Sequence, residues 1–426
     1  MGLSAETMPA TRQRKAVIAG GSVGGLFIGN MLLRQGWAVE IFERAASGLE
    51  SRGAGIAGHA ELTAILKTIG VASDAPPPGI DVSGRVAFDR HGNQLASFDY
   101  PQYLTSWSSL FNLLYSAFPP QCYHLGVELL DIKLTGDGAV AQLSSGEQVT
   151  ADLVVGADGI RSRVRALFAP DIVPCYGGYV AWRGIMDETG LSAAFMAETF
   201  DRFSFCFPPG GQFIGYPLLG QDGSTARGER RYNFLWYTHI AGGDDLDGLM
   251  TDESGVKHES IPPPLIRKSY IETLRKAGAR DLPPQFSEVV LRADRHLVQP
   301  IFDVESRDIG FGHVALVGDA GFVCRPHVGV GVLKAAQDAA ALAQSLKQCA
   351  SVPEALRRYQ HERLQPNIDA VEFGRYLGSF IERGLAGPTS DPGLNLSYEF
   401  IIRESARLPR VKPPRRAGSS RERVLQ

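Results

Sequence analysis

The sequence predicts an α/β fold in which a parallel sheet with flanking helices is interrupted by an inserted antiparallel sheet and followed by C-terminal helices. Three observations predict it. A short β-branched run at residues 15–19 meets a glycine-rich turn, a helical pattern and a second apolar run that ends in an acid. From about residue 170, strand-like runs alternate with turns and have no helical pattern between them, as in an antiparallel sheet. A further buried run at 314–317 leads into a long Ala-rich helical stretch.

The first element is Lys15-Ala16-Val17-Ile18-Ala19, apolar and short enough for a buried strand. Gly20-Gly21-Ser22-Val23-Gly24-Gly25 follows, then a helical pattern over 26–35 with Gly36 as its stop, then a strand over 38–42 closed by Glu43 and Arg44. Strand, glycine turn, helix, strand and acid in this order make a Rossmann-like βαβ unit for a dinucleotide. Gly20 permits the tight turn and Gly25 lets the helix approach the sheet. The pyrophosphate belongs on the unsatisfied N–H groups and positive dipole of the helix N-terminus, and Glu43 on a ribose. Ser22 holds the second glycine position of G-x-G-x-x-G; a small residue is needed there, and Ser is small enough.

A helix is expected over 61–69, a break at 74–79 and a hairpin over 82–98 turning at 89–93. An apolar helix at 106–118 and a meander over 129–143 come next. Asp152-Leu153-Val154-Val155-Gly156-Ala157-Asp158-Gly159 is a buried strand ending in an acid and a glycine, with the next helix opening at Ile160 to Arg165. Strands are expected over 179–185, 202–207, 212–218 and 232–239, a polar surface excursion over 242–264, and helices over 266–276, 331–348 and 352–363.

With 426 residues the chain supports two or three cored domains. A net charge of −3 gives no electrostatic case for nucleic acid. Five Cys without C-x-x-C spacing predict reduced thiols in the cytoplasm. No metal site is read. No apolar run reaches the roughly 18–20 residues needed to span a bilayer, and the polar residues 1–14 show no signal peptide. Residues 403–426, rich in Arg, read as a mobile basic tail.

The glycine turn with Glu43, the Asp152–Gly159 segment and Gly318-Asp319-Ala320 running through Pro326, Gly329 and Gly331 to Asp338 resemble the class A flavoprotein aromatic hydroxylases in order and spacing. Gly177-Gly178-Tyr179-Val180-Ala181-Trp182-Arg183-Gly184, residues 232–237 and residues 247–252 resemble the 2,6-dihydroxypyridine 3-hydroxylase branch. The resemblance covers about residues 14–375. It implies bound FAD, transient NAD(P)H, O2, and transfer of OH from a flavin C4a-hydroperoxide to a small hydroxylated aromatic or N-heteroaromatic. Asp319 would meet the ribityl chain; its bland alternative is a helix cap. Backbone N–H groups from Gly329 on would face the flavin pyrimidine. Trp107 departs from the family, where an Arg is common, and should stack or pack.

The resemblance divides the chain into an FAD-binding domain (14–74, 105–170, 300–350), a substrate domain (75–104, 171–299), a C-terminal helical segment (351–402) and the tail. A general base would raise the electron density of a ring hydroxyl. His59, Tyr216 and His327 are candidates, each with packing as its alternative. Trp182, Arg183, Tyr216 and Trp236 are candidate substrate contacts. Hydroxylation of larger phenolic or polyketide substrates, a flavin dehydrogenase without oxygen insertion, and a flavin-binding protein without turnover are the rival readings. Oligomeric state is open, a homodimer included.

Overall fold

The computed structural model describes residues 12–49, 55–71 and 79–408. The leader to residue 11, most of the expected break at 74–79 and the tail beyond 408 lie outside them.

The glycine unit forms where the sequence places it. Lys15–Ala19 is a central strand, paired in parallel with Ala38–Glu43 on one side and Leu153–Gly156 on the other. Val314–Leu316 extends the sheet in parallel, Tyr123–Leu125 pairs beyond Ala38–Glu43, and a short antiparallel strand, Gly310–Phe311, makes the far edge. Ala16, Val17 and Ile18 are fully buried. The run is uniformly apolar, not alternating, because both faces of this sheet are covered.

The second sheet has nine strands and is almost wholly antiparallel; only Phe203–Cys206 against Gly79–Phe88 runs parallel. Its centre is Cys175–Asp187, Arg231–His239 and Gly211–Leu218, each hydrogen-bonded to the next. Side chains alternate across it. Val180, Trp182, Phe213, Phe234 and Trp236 point to one face and build a core with Phe286, Val289 and Val290 of the Pro284–Arg292 helix. Tyr179, Ala181, Ile214, Tyr216, Leu235 and Tyr237 point to the other face, toward the parallel sheet. Gly55–Ala57, Leu297–Glu305 and Phe322–Val323 also belong to this sheet, so the chain crosses between the sheets more often than the expected segment boundaries have it. A three-stranded meander, Leu129–Leu134, Ala139–Leu143 and Gln148–Ala151, forms a third sheet whose buried side chains join the core of the parallel sheet.

Two expectations need correction. The helix expected to end at 363 runs from Val352 to Leu377 with Pro366 inside it. A mid-helix proline costs about 3 kcal/mol, but Tyr359, Val371, Phe373 and Leu377 of the same helix are fully buried, and that burial carries it through. The basic tail does not begin at 403. Ile401, Ile402, Ser405 and Ala406 are buried, Arg403 lies over the Phe98 ring at 4.5 Å and Arg407 over Tyr100 at 5.4 Å. These arginines read as solvated charges in sequence because the aromatic strand that receives them, Gln94–Ser106, is three hundred residues away.

Candidate functional site

Two cavities lie on the side of the nine-stranded sheet that faces the parallel sheet. The first, of about 380 Å³, sits at the C-terminal ends of the parallel strands and is lined by Gly20, Ser22, Glu43, Arg44, Asp158 and Asp319 among others. Open α/β sheets bind ligands at this end. Gly20 has φ +100°, and a Cβ on it would come within 2.4 Å of the Ala157 carbonyl oxygen. A Cβ on Gly25 would lie 2.0 Å from the Gly20 oxygen, so Gly25 does not face the cavity but sets how closely helix and turn approach. Ser22 is the N-cap of the Val23–Arg34 helix, yet its side chain makes no capping bond and the first turn carries no acid. The helix N-terminus is left open to an anion.

Glu43 is buried beneath the turn. Its Oε2 accepts from the Gly21 N–H at 2.8 Å and its Oε1 from the Ala45 N–H at 2.9 Å. A carboxylate retains lone pairs after two such bonds, so Glu43 can brace the glycine turn and still receive a ribose hydroxyl. Arg44 stands at the exposed rim.

Asp158 and Asp319 divide two jobs. Asp158 caps a helix: its Oδ1 accepts from Ser162 Oγ at 2.5 Å, and its Oδ2 from the backbone N–H groups of Arg163 at 2.6 Å and Val164 at 3.1 Å. Burial raises its pKa against those bonds. The capping alternative weighed for Asp319 thus falls to Asp158. Asp319 is exposed to the cavity; desolvation by the surrounding protein raises its pKa first, Lys334 opposes that, and Asp338 adds to it. No hydrogen bond among the described residues engages its carboxylate. The turn that presents it is held from behind, since Gly318 N–H donates to Asp338 Oδ2 at 3.1 Å, and Asp338 in turn accepts from Arg363 and Asn367. Arg165, which the sequence offers as a phosphate contact or a solvated helix-face charge, has another role. It is buried and donates to the carbonyls of Ala320, Ile160 and Ile172, bracing the Asp319 turn against the Asp158 segment.

The second cavity, of about 340 Å³, shares Trp107, Asp319, Gly331 and Val332 with the first. Trp107 stacks on Phe111 at 4.9 Å and 12°, which is the packing role expected of it. Pro326, His327 and Gly329 form part of the wall, Gly329 at φ +64°. The Gly331–Gln348 helix starts there without a side-chain cap. The nine-stranded sheet contributes Ala181, Arg183, Phe203, Ile214, Tyr216 and Tyr237.

The substrate-side candidates separate. Tyr216 and Arg183 face this cavity. The Tyr216 ring stacks on Phe203 at 5.1 Å, its hydroxyl donates only weakly to the Gly55 carbonyl at 3.4 Å, and burial pushes its pKa up to about 12. Arg183 donates to Gln299 at 3.0 Å. Trp182 and Trp236 are direct cross-strand partners on the opposite face, inside the helix-covered core, so they are not cavity residues. Strand alternation forces this: with Arg183 facing in, Trp182 faces out. The same parity would have found Tyr237, which sequence reasoning missed.

His59 lies behind the wall as the N-cap of the Ala60–Thr68 helix, with Nε2 3.3 Å from the Gly329 carbonyl oxygen. Burial lowers its pKa. His327 is buried with Nε2 2.8 Å from Tyr179 Oη; burial first and Arg325 second lower its pKa to about 3. A neutral imidazole so hard to protonate is a poor proton acceptor.

These residues fit FAD: a glycine cradle that any Cβ would fill, an uncapped helix N-terminus above it, an acid at the second strand end, and an unengaged carboxylate where the two cavities join. Comparison with known proteins agrees. Residues 176–303 match the family described as FAD binding domain-like. The chain is 29% identical over 416 residues to the 2,6-dihydroxypyridine 3-monooxygenase of Paenarthrobacter nicotinovorans, covering 96% of this chain and 98% of that one. It is 29% identical to the aurachin C monooxygenase/isomerase of Stigmatella aurantiaca, over 85% and 88% of the two chains. The solved structure of 2,6-dihydroxypyridine-3-hydroxylase from Arthrobacter nicotinovorans superposes with a TM-score of 0.83 at 27% identity, covering 96% of this chain and all of that one. Among the described residues no helix is long and apolar enough to cross a membrane.

Proposed function

We propose that the chain is a class A flavoprotein hydroxylase that uses NAD(P)H and O2 to hydroxylate a small, planar, hydroxylated N-heteroaromatic of the hydroxypyridine kind. The observation that carries this is the second cavity. It abuts the cofactor cavity at Asp319 and Gly331, its volume lies near the lower end of the roughly 300–1,000 Å³ of ligand sites, and its walls are mostly apolar, with Trp107, Phe203, Tyr216 and Tyr237 among them and a few polar groups.

Bound FAD would supply the redox and oxygen chemistry; the chain binds, orients and excludes water. The N-terminal N–H groups of the Val23–Arg34 helix would hold the pyrophosphate, Glu43 the adenosine ribose and Asp319 the ribityl hydroxyls. Backbone N–H groups at the start of the Gly331–Gln348 helix would favour negative charge on the adjoining ring. Tyr216 keeps its proton at neutral pH and so serves as a donor to a ring oxygen, not as a base. Arg183 adds a positive charge beside it, suited to a substrate that enters as its anion. No second glycine-rich βαβ unit is readable in the sequence, so NAD(P)H would bind transiently.

The test is a panel of hydroxypyridines, phenols and polycyclic phenols, scored for NAD(P)H oxidation, O2 uptake and product mass. One added oxygen on a hydroxypyridine per NAD(P)H is expected. Product only from large polycyclic phenols overturns the substrate class. Flavin reduction without product from any of them overturns the hydroxylation.

A further inference from the structure

The Gly331–Gln348 helix carries a cation in an unfavourable place. Lys334 is its fourth residue and is only 2% exposed. A positive charge near a helix start opposes the dipole, and Lys before Asp is the poorer order for an i,i+4 pair. Burial adds a further cost. Lys334 Nζ stands 3.7 Å from Asp338 Oδ2, within reach of an ion pair, and has no hydrogen bond among the described residues.

Asp338 is balanced without it. Its Oδ1 accepts from Arg363 Nε at 2.8 Å and Asn367 Nδ2 at 2.9 Å, and its Oδ2 accepts from the Gly318 N–H at 3.1 Å. Arg363 thus cancels the Asp338 charge, and Lys334 is left as a second buried cation beside one further carboxylate, that of Asp319. The geometry brings the two together. The same Asp338 Oδ2 faces Lys334 Nζ and the N–H of Gly318, the residue before Asp319. Ala335, the residue after Lys334, packs against the turn, since a Cβ on Gly318 would lie 3.1 Å from the Ala335 Cβ. Helical side chains lean toward the N-terminus, so the Lys334 stem is directed to the helix start, beside which Asp319 opens to both cavities. Its charge opposes the upward shift that desolvation imposes on Asp319.

The other ionisable groups near the turn are otherwise occupied. Cys324 follows it in the chain, but burial pushes its thiol up to about 11, so it stays neutral. Arg165 donates to three carbonyls and has Asp158 as its counter-charge. Across the cavity, Glu43 accepts from backbone N–H groups, and Arg44 and Arg163 are exposed. Asp319 is exposed to the cavity, where solvent stabilises its charge. A molecule that fills the cavity removes that solvent, and a carboxylate without a counter-charge then takes up a proton and accepts fewer hydrogen bonds.

We propose that Lys334 is a positioning residue for the cofactor: its buried charge keeps Asp319 ionised once the first cavity is filled, so that the carboxylate remains a full acceptor for the ribityl hydroxyls. This rests on the reading of the first cavity as the FAD site.

The test follows FAD release from holoenzyme on dilution, by recovery of flavin fluorescence, at pH 8 and pH 6. Lys334→Met keeps the length and removes the charge. It should release FAD at most threefold more readily than wild type at pH 8 and at least tenfold more readily at pH 6. In an Asp319→Asn background, where there is no carboxylate to ionise, the same substitution should change release by less than twofold at either pH. A loss equal at the two pH values, or undiminished in the Asp319→Asn background, makes Lys334 a packing residue and overturns the proposal; so does release within twofold of wild type at both. If Lys334→Met does not fold, Lys334→Gln is read on the same thresholds. Independently of both variants, the ratio of Asp319→Asn to wild-type release should change less than twofold between pH 8 and pH 6. A ratio that falls toward one at pH 6 means that Asp319 takes up a proton despite Lys334, and overturns the proposal while the cofactor reading stands. If wild type holds no FAD, the cofactor reading fails and takes this proposal with it.

Discussion

The two cavities share a wall but are made of different material. The cofactor cavity is built mainly by backbone: a glycine turn, helix N-termini and the ends of parallel strands, with Glu43 and Asp319 as its principal side chains. The substrate cavity is built by side chains on one face of a sheet, with contributions from residues as far apart as Gly55, Tyr216 and Ser405. Backbone sites demand particular residues at fixed spacing, because only glycine tolerates the turn and the close approach. Side-chain sites demand only that some suitable group arrive there. A backbone site should therefore fail abruptly on substitution, and a side-chain site by degrees.

The sharpest test of that contrast is Gly20→Val. With φ at +100° and the Ala157 carbonyl 2.4 Å from a would-be Cβ, no side chain fits. The expected outcome is no FAD-bound protein on purification, measured as flavin per chain; a yellow variant with normal occupancy would break the contrast. Tyr216→Phe comes next. Removing a proton donor typically costs 10²–10⁴-fold in rate, so product formation should fall within that range while FAD stays bound. His59→Ala, behind the wall, should change turnover by less than about threefold in the same assay; a loss as large as that of Tyr216→Phe would put His59 back in the chemistry.

Third in size is Asp319→Ala. Hydrogen bonds to a charged group are worth about 1.5–3 kcal/mol, so FAD should be released roughly ten- to a hundredfold more readily, read by fluorescence on dilution. Wild-type retention together with wild-type hydroxylation would reduce Asp319 to scaffolding. The smallest effect concerns pH. His327 is held at about 3, against its ordinary 6.5. The unfolded chain takes up that proton as pH falls through 6.5 and the folded protein does not. Its contribution is therefore complete above 6.5 and drains away toward pH 3, by about 1.4 kcal/mol per pH unit. Between pH 6 and 5, the melting temperature of His327→Asn should fall less steeply than that of wild type. Equal slopes would mean that the buried imidazole takes up its proton in the folded state after all.

The same contrast explains what could be read from the sequence. Gly20, Ser22, Glu43, Asp158, Asp319 and Gly331 could be named because each occupies a fixed place in a local pattern, and the structure brings all six to one cavity. On the substrate side, aromatic residue type pointed to Trp182 and Trp236, yet type does not say which face of a strand a residue occupies. Neighbouring positions in strands go to opposite faces, and Arg183 was a marker of parity that the sequence already contained. Ser405 carried no signal, and Arg165 read only as a phosphate contact or a solvated helix-face charge. Their roles depend on partners such as Gln102 and Ala320, and contacts over such separations leave no periodicity. The long helix was cut short for the converse reason, since Pro366 is a strong local breaker overruled by distant packing.

Arg165 also has a consequence for biosynthesis. It ties the segment that begins at Asp158 to the carbonyl of Ala320, so the cofactor cradle is closed by residues that leave the ribosome long after the glycine turn has done so. At about 5–20 residues per second, many seconds separate the two events. During that interval the nascent chain carries a nucleotide-binding turn without the carboxylate or the helix start needed to complete the cradle. Flavin capture is thus deferred until about three-quarters of the chain has been made, and a chain arrested near residue 300 should emerge colourless however well its first sheet has formed.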